Sequence, residues 1–203
     1  MAQTVVDMKC PGCGNPVSTA DRECKYCGRP VVITTFHSIC GMPAPQIGKY
    51  IGEYGKVLSA DPGNTEINGG IAMCYLKIGL YDKALEAFEK AMENNFGNSE
   101  IFFFAAVCLL RGKKAFNTPF ADIKKAIEYT NAAIAIEPRG IYFYFLAYLK
   151  YDFYERKCLN IRPDYKEELK AAVSSRVSGE DIRLLFDVIG KPVPEPIALR
   201  ATR

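Results

Sequence analysis

The chain has 203 residues, 49% of them apolar, with 26 Lys and Arg against 23 Asp and Glu, eight Cys and one His. That composition describes one or two globular domains and excludes a disordered or fibrous chain. The longest apolar runs, residues 101–110 and 141–149, reach about half the roughly 20 residues of a bilayer-spanning helix, so no membrane span is expected. Residues 1–9 lack the basic, apolar and small-residue succession of an export signal, which makes a cytoplasmic location the expectation. With one His, no Trp and no Gly-rich phosphate loop, the chain offers little for acid–base or phosphoryl chemistry, and an enzyme is not expected.

The first signal along the chain is a short internal repeat. Cys10-Pro11-Gly12-Cys13-Gly14-Asn15-Pro16-Val17 and Cys24-Lys25-Tyr26-Cys27-Gly28-Arg29-Pro30-Val31 both read C-x-x-C-G-x-P-V. Two residues between cysteines let a tight turn aim both sulfurs at one ion, and the following glycine permits the positive φ that such a turn requires. The stretch between Cys13 and Cys24 suits a minimal hairpin, and a segment this small needs a staple in order to fold. Residues 8–33 resemble a short zinc ribbon, which implies a structural Zn²⁺ held by Cys10, Cys13, Cys24 and Cys27 with no open coordination position. Rubredoxin-like iron is disfavoured by the short spacing and the single aromatic, Tyr26, and disulfides by the missing export signal. His37 and Cys40 lack two further ligands outside helical patterns, so they do not make a second site. Residues 1–33 are expected to form the ribbon, and 34–45, with Pro43 and Pro45, a linker.

Helical periodicity follows. Residues 64–98 carry Ile71, Ala72, Tyr75, Tyr81, Ala84, Phe88 and Ala91, with a break at Gly79: one helix–turn–helix unit of about 34 residues. This unit resembles a tetratricopeptide repeat. With Thr65 as its first position, the small residues fall at Ala72, Ala84 and Ala91, while Asn68 and Phe96 depart from the pattern. Counting back, Tyr50, Tyr54 and Val57 place a half-repeat at 46–59. Counting forward, Phe102, Ala105, Ala106 and Leu109 precede an insertion of about eight residues near Arg111 to Phe120, after which Ala126, Thr130 and Ala133 resume the frame. A degenerate third repeat covers 141–158 and 164–176, and 178–189 reads as a closing helix capped by Ser178. The fold expected is mainly α: a TPR-like solenoid of antiparallel helix pairs over 46–190, preceded by the small β zinc ribbon and followed by a Pro-rich tail at 191–203.

The family resemblance further implies a concave groove lined by the first helix of each repeat. Mapped here, it comprises Glu66, Gly69, Met73 and Leu76, then Glu100, Phe103, Val107 and Leu110, then Ile141, Tyr144, Tyr148 and Tyr151. An apolar, aromatic groove suits an extended apolar peptide or a helix of a partner protein, unless the closing helix, the ribbon or the tail covers it. The Lys, Asn and Arg set that clamps chaperone carboxyl termini in some family members is missing from these positions.

Residues 111–176 carry thirteen Lys and Arg against eight Asp and Glu. Within them Arg111, Lys113, Lys114, Lys124 and Lys125, interleaved with Phe116 and Phe120, are candidates for contact with an acidic partner or nucleic acid. The tail, with Pro192, Pro194 and Pro196, is expected to be extended and to offer a route to self-association, ending at Arg200 and Arg203. The leading reading is a non-enzymatic protein–protein interaction adaptor or scaffold. The alternative is a nucleic-acid-associated factor acting through 111–125, and a third reading is a redox- or metal-responsive thiolate switch.

Overall fold

The computed structural model describes residues 5–93 and 96–199, and the chain divides into two compact units, Met1–Phe96 and Gly97–Arg203. It is mainly helical, with eight α-helices and a two-stranded sheet among the described residues, as the periodicity requires.

In the first unit, β1 (Asp7–Lys9) pairs antiparallel with β2 (Pro16–Ser18), Met8 opposite Val17. The hairpin carries the first cysteine turn at its tip, instead of lying between the two turns as the spacing suggested. An isolated bridge, Glu23 to Pro30, closes the second turn. The segment read as a linker is packed: Phe36 and Ile39 are fully buried, and His37–Ile39 forms a 3-10 turn. Helix α1 (Ala44–Ala60) starts directly after Pro43, with Pro45 in its first turn, where a missing N–H leaves nothing unsatisfied. Its Ile47, Tyr50, Tyr54 and Val57 recur at helical spacing and are all buried.

Helix α2 (Thr65–Lys77) is capped by Asn64, whose Oδ1 accepts from Ile67 N at 3.1 Å. Asn68, an outlier in the repeat pattern, is buried because its Nδ2 donates to Pro62 O and Asn64 O, each at 2.9 Å, which ties down the α1–α2 turn. Gly79, at φ +76°, turns the chain into α3 (Tyr81–Met92). Ala72, Ala84, Phe88 and Ala91 are fully buried where α2 and α3 pack together.

The second unit opens with α4 (Ser99–Cys108), capped by Asn98. Arg111 and Gly112 both take positive φ and end that helix. A loop with a 3-10 turn at Ala115–Asn117 then leads through Pro119 into α5 (Phe120–Ile136). Ala126, Thr130 and Ala133 are buried on α5, with Thr130 Oγ1 donating back to Ala126 O at 2.7 Å.

Helix α6 (Gly140–Leu149) does not continue to residue 158 as the repeat count suggested. It widens into a π turn, Lys150–Tyr154, and a 3-10 turn, Glu155–Lys157, which Cys158 ends at φ +56°. The widening accompanies buried charge. Lys150 pairs with Glu168 on α7 (Tyr165–Ser174), and Asp152 accepts from Phe116 N at 2.8 Å and from Arg156 at 2.5 Å. Helix α8 (Gly179–Ile189) begins at the Ser178 cap and ends at Gly190 in the left-handed region.

Candidate functional site

The two cysteine turns are built alike. Cys10 N donates to Asn15 O and Cys24 N to Arg29 O, each at 2.8 Å, while Gly14 N and Gly28 N return to Cys10 O and Cys24 O at 2.9 and 2.8 Å. Gly14 and Gly28 sit at φ +80° and +69°, the conformation their position after the second cysteine called for. All four Sγ atoms lie within 4.8 Å of one another. Across the turns, Cys10 faces Cys27 and Cys13 faces Cys24, both at 3.7 Å. That separation is far beyond the roughly 2.05 Å of a disulfide. Donor chemistry and spacing therefore fit one tetrahedral metal ion.

The thiols differ in setting. Burial pushes Cys10 up to about 12, whereas hydrogen bonding from Asn15, whose Nδ2 lies 3.3 Å from the sulfur, brings Cys13 down to about 6. A bound cation would supply the stabilisation that Cys10 lacks as a thiolate. His37 and Cys40 are not brought to this cluster: Cys40 Sγ donates to Phe36 O at 3.2 Å.

The cluster is hydrogen-bonded to α1. Arg29 Nη1 donates to Gly12 O at 3.3 Å and to Gln46 Oε1 at 3.0 Å, and Gln46 Nε2 donates to Pro11 O at 3.2 Å. Tyr50 donates to Pro30 O at 2.7 Å. Tyr54 donates to Val31 O and accepts from Ile33 N, both at 2.9 Å. The periodicity marked both tyrosines as core. Their hydroxyl roles were not visible, since they depend on where the extended 30–33 segment runs.

The groove positions are placed as follows. In the first unit, Gly69, Met73 and Leu76 are buried on α2, and Glu66 is half-buried, with its carboxyl raised by that burial. In the second, Phe103, Val107 and Leu110 are buried on or just beyond α4, and Glu100 bonds to Arg139 at 2.9 Å. Phe103 packs against Tyr142 and Phe145 with ring centroids 4.6 and 5.6 Å apart. Ile141, Tyr144 and Tyr148 are buried on α6, and Tyr151 lies in the π turn, 5.3 Å from Tyr165.

Tyr144 and Tyr148 are covered by the chain itself. Both rings meet Phe186 of α8 edge-on, at 6.4 and 5.1 Å, and Tyr144 Oη donates to Ile197 O at 2.9 Å. The tail, expected to be extended and available to another copy, is docked on its own unit with Ile197 buried. Pro194 keeps an extended backbone, but Glu195–Ile197 closes a 3-10 turn. Arg200 and Arg203 lie outside the described residues. Ile197 and Phe186 were not singled out in the sequence, because a Pro-rich tail does not announce which of its aliphatic side chains finds a slot.

The basic positions are partly engaged. Arg111 pairs with Asp122 at 2.7 Å, and Lys125 Nζ sits 5.3 Å from the centre of the Tyr129 ring. Phe116, read as a stacking candidate, lies beneath Arg156 and Lys157 at 4.4 and 4.9 Å. Lys113, Lys114 and Lys124 are exposed. Beside the docked tail a cavity of 220 Å³ opens between residues 192–196 and a wall made by Lys114, Tyr148, Tyr151, Asp152 and Arg156.

Helix pairs that bury small residues at fixed repeat positions define a tetratricopeptide-like array, and the Tetratricopeptide repeat family model matches residues 51–114. Two crystal structures of MamA share the fold. Each is 20% identical with a TM-score of 0.55 over 72% of this chain, and the match covers 80% of one and 75% of the other. No curated protein matches the chain.

Proposed function

We propose that the protein is a non-catalytic adaptor. Its helix pairs present binding surface to another protein, and its paired cysteine turns hold one structural Zn²⁺. The observation that carries the adaptor reading is the repeat itself, matched over 51–114, with Ala72, Ala84 and Ala91 buried in frame. Arrays of this kind stack short helix pairs into an extended surface suited to binding another protein. For the metal, a Zn–S bond of about 2.3 Å in a tetrahedron separates sulfurs by about 3.8 Å, which the 3.7 Å cross-turn distances approach. Four closed thiolates leave no position for substrate, so the ion's role is to hold the N-terminal segment. No helix among the described residues is long and apolar enough to cross a membrane.

The adaptor reading is tested on the full chain purified from its native cells after mild crosslinking. A stoichiometric protein partner, retained after nuclease treatment and crosslinked to lysines of the helical region, is the expected result. Recovery of the chain alone, or with a nuclease-sensitive partner, overturns it. The metal is read from the same preparation by elemental analysis, with one Zn per chain expected.

A further inference from the structure

The insertion between α4 and α5 is held against the π turn that follows α6. Ala115 N donates to Tyr148 Oη at 3.2 Å, Phe116 N to Asp152 Oδ2 at 2.8 Å, and Thr118 Oγ1 to Lys114 O at 3.1 Å. Two distant stretches of chain thereby build one aromatic surface. Phe120, 58% exposed, lies on Phe153 with ring centroids 6.0 Å apart and planes 23° from parallel, and it meets Tyr154 edge-on at 6.4 Å. Phe153 and Tyr154 are buried, so the Phe120 ring is backed by the fold while most of it faces solvent.

Cations surround these rings. Lys157 Nζ stands 3.7 Å from the centre of the Phe153 ring and 4.9 Å from that of Phe116, and the Arg156 guanidinium stands 4.4 Å from Phe116. Lys124 follows Phe120 by one turn of α5 and therefore shares its face, while Lys113 and Lys114 lie just before Phe116; all three lysines are exposed. Two of the nearby acids are already engaged. Asp122 is held by Arg111 at 2.7 Å, and Asp152 by Arg156 at 2.5 Å as well as by Phe116 N. Glu128 and Glu155 are the exposed acids on these segments, two against Lys113, Lys114, Lys124 and the half-exposed Lys157.

We propose that this patch binds single-stranded nucleic acid: a base stacks on the exposed ring of Phe120, and Lys113, Lys114, Lys124 and Lys157 meet the neighbouring phosphates. The surface is additional to the protein-binding role inferred above and does not depend on it.

The ring decides between the polyanions that such a patch could attract. Lysines alone hold any carboxylate or phosphate, and for that purpose an exposed phenyl group contributes nothing. A phenyl ring already fixed in orientation by Phe153 offers a flat face, and every unpaired base has a π face to lay on it. A duplex keeps its bases stacked inside and has none to offer. Phe120 carries no hydrogen-bonding group, so the surface accepts bases with little regard to sequence, and it makes no distinction between ribose and deoxyribose. Phe116, covered by Arg156 and Lys157, is not the stacking ring; it holds those two cations at the patch.

The test follows the fluorescence anisotropy of labelled rU12, dT12 and a 12-bp DNA duplex with the full-length chain. Both single strands are expected to bind with similar affinity, and more tightly than the duplex. Four phosphate contacts make that affinity fall about 50-fold between roughly 50 and 200 mM salt. Phe120→Leu fills the same position without a ring face and is expected to weaken single-strand binding by about 10-fold, whereas Phe120→Trp retains it. Lys113→Ala with Lys124→Ala removes two phosphate contacts and lowers the slope of log affinity against log salt by about 1.4. Circular dichroism verifies that each variant is folded. Absence of binding by the wild-type chain at low salt overturns the proposal, as does an unchanged affinity in Phe120→Leu or an unchanged salt slope in the lysine variant. Equal binding of duplex and single strands, or displacement of dT12 by polyglutamate as effective as by unlabelled dT12, overturns it in favour of a plain electrostatic surface for acidic partners. The crosslinked protein partner retained after nuclease treatment decides the adaptor reading separately.

Discussion

Arg29 Nη1 lies 3.0 Å from Gln46 Oε1, and through that contact the second cysteine turn is joined to the first turn of α1. Gln46 completes the link by donating to Pro11 O in the first cysteine turn, while Arg29 reaches Gly12 O. The two turns and the helix thus share one hydrogen-bond network. An ion that fixes the four sulfurs also fixes the carbonyls on which α1 rests.

Removing the metal is therefore expected to loosen α1 as well as the hairpin. Chelation of the full-length chain, or Cys13→Ser combined with Cys24→Ser, lowers Tm by about 5 °C or more. It also exposes the remaining thiols to alkylation. Gln46→Ala keeps the metal but breaks the network, at a loss of about 1 kcal/mol. Elemental analysis with thermal melts reads both effects, and a metal-free chain melting at the holo temperature contradicts the role of the ion as a staple.

The buried pair Lys150–Glu168 gives a second expectation. Both side chains are almost fully enclosed, so removing one leaves an uncompensated charge in the interior. Lys150→Met alone is expected to cost about 3–5 kcal/mol, and Lys150→Met with Glu168→Leu to recover most of that loss. Chemical denaturation of the two variants measures the difference. If the double variant is no more stable than the single one, the loss is one of packing and not of charge.

Alkaline pH acts on α6. Burial pushes Tyr144 and Tyr148 from 10.0 up to about 12 each, because the phenolate is poorly solvated there. In the unfolded chain these groups ionise near 10.0, so the stability they contribute is fully present below that pH and is lost as pH rises through about 12. Tyrosinate absorbance and circular dichroism should change together over that interval. Tyr144→Phe shifts the midpoint upward by removing one titrating group. Ionisation of these tyrosines near pH 10 without unfolding shows that they are reached by solvent.

The parts of this molecule that could be read from the chain are those fixed by local spacing. Cys10, Cys13, Cys24 and Cys27 lie two residues apart within each turn, and Gly14 and Gly28 follow each pair, so the turn geometry is written in adjacent residues. Ala72, Ala84 and Ala91 identify close helix contacts because nothing larger fits at those repeat positions. What could not be read depends on partners distant in the chain. Lys150 looks like the exposed end of a helix until Glu168 is brought beside it, and Ile197 looks like a free tail residue until it is buried with its carbonyl on the Tyr144 hydroxyl. The 34–45 stretch reads as a linker by its prolines, yet Phe36 and Ile39 are buried in the first unit.

Glycine substitutions give the last expectation, with opposite signs in the two units. A Cβ on Gly140 would stand 2.5 Å from Val177 N and 2.8 Å from Ser175 O, backbone atoms that cannot swing aside. Gly140→Ala is therefore expected to destabilise by about 3 kcal/mol, at the upper end of ordinary overpacking. Gly48 and Gly52 lie on α1 with nothing within 4 Å of an added Cβ, and both are exposed. Each weakens the helix by about 1 kcal/mol relative to Ala. Two such residues in a helix of 17 make α1 a poor helix by itself, which is why its hydrogen bonds to the cysteine turns matter. Gly48→Ala with Gly52→Ala should raise Tm and also shrink the loss of Tm on chelation, since a helix with better intrinsic propensity leans less on the metal-bound turns. A chelation effect unchanged by this double substitution means that the ion stabilises the hairpin alone and that α1 stands independently of it.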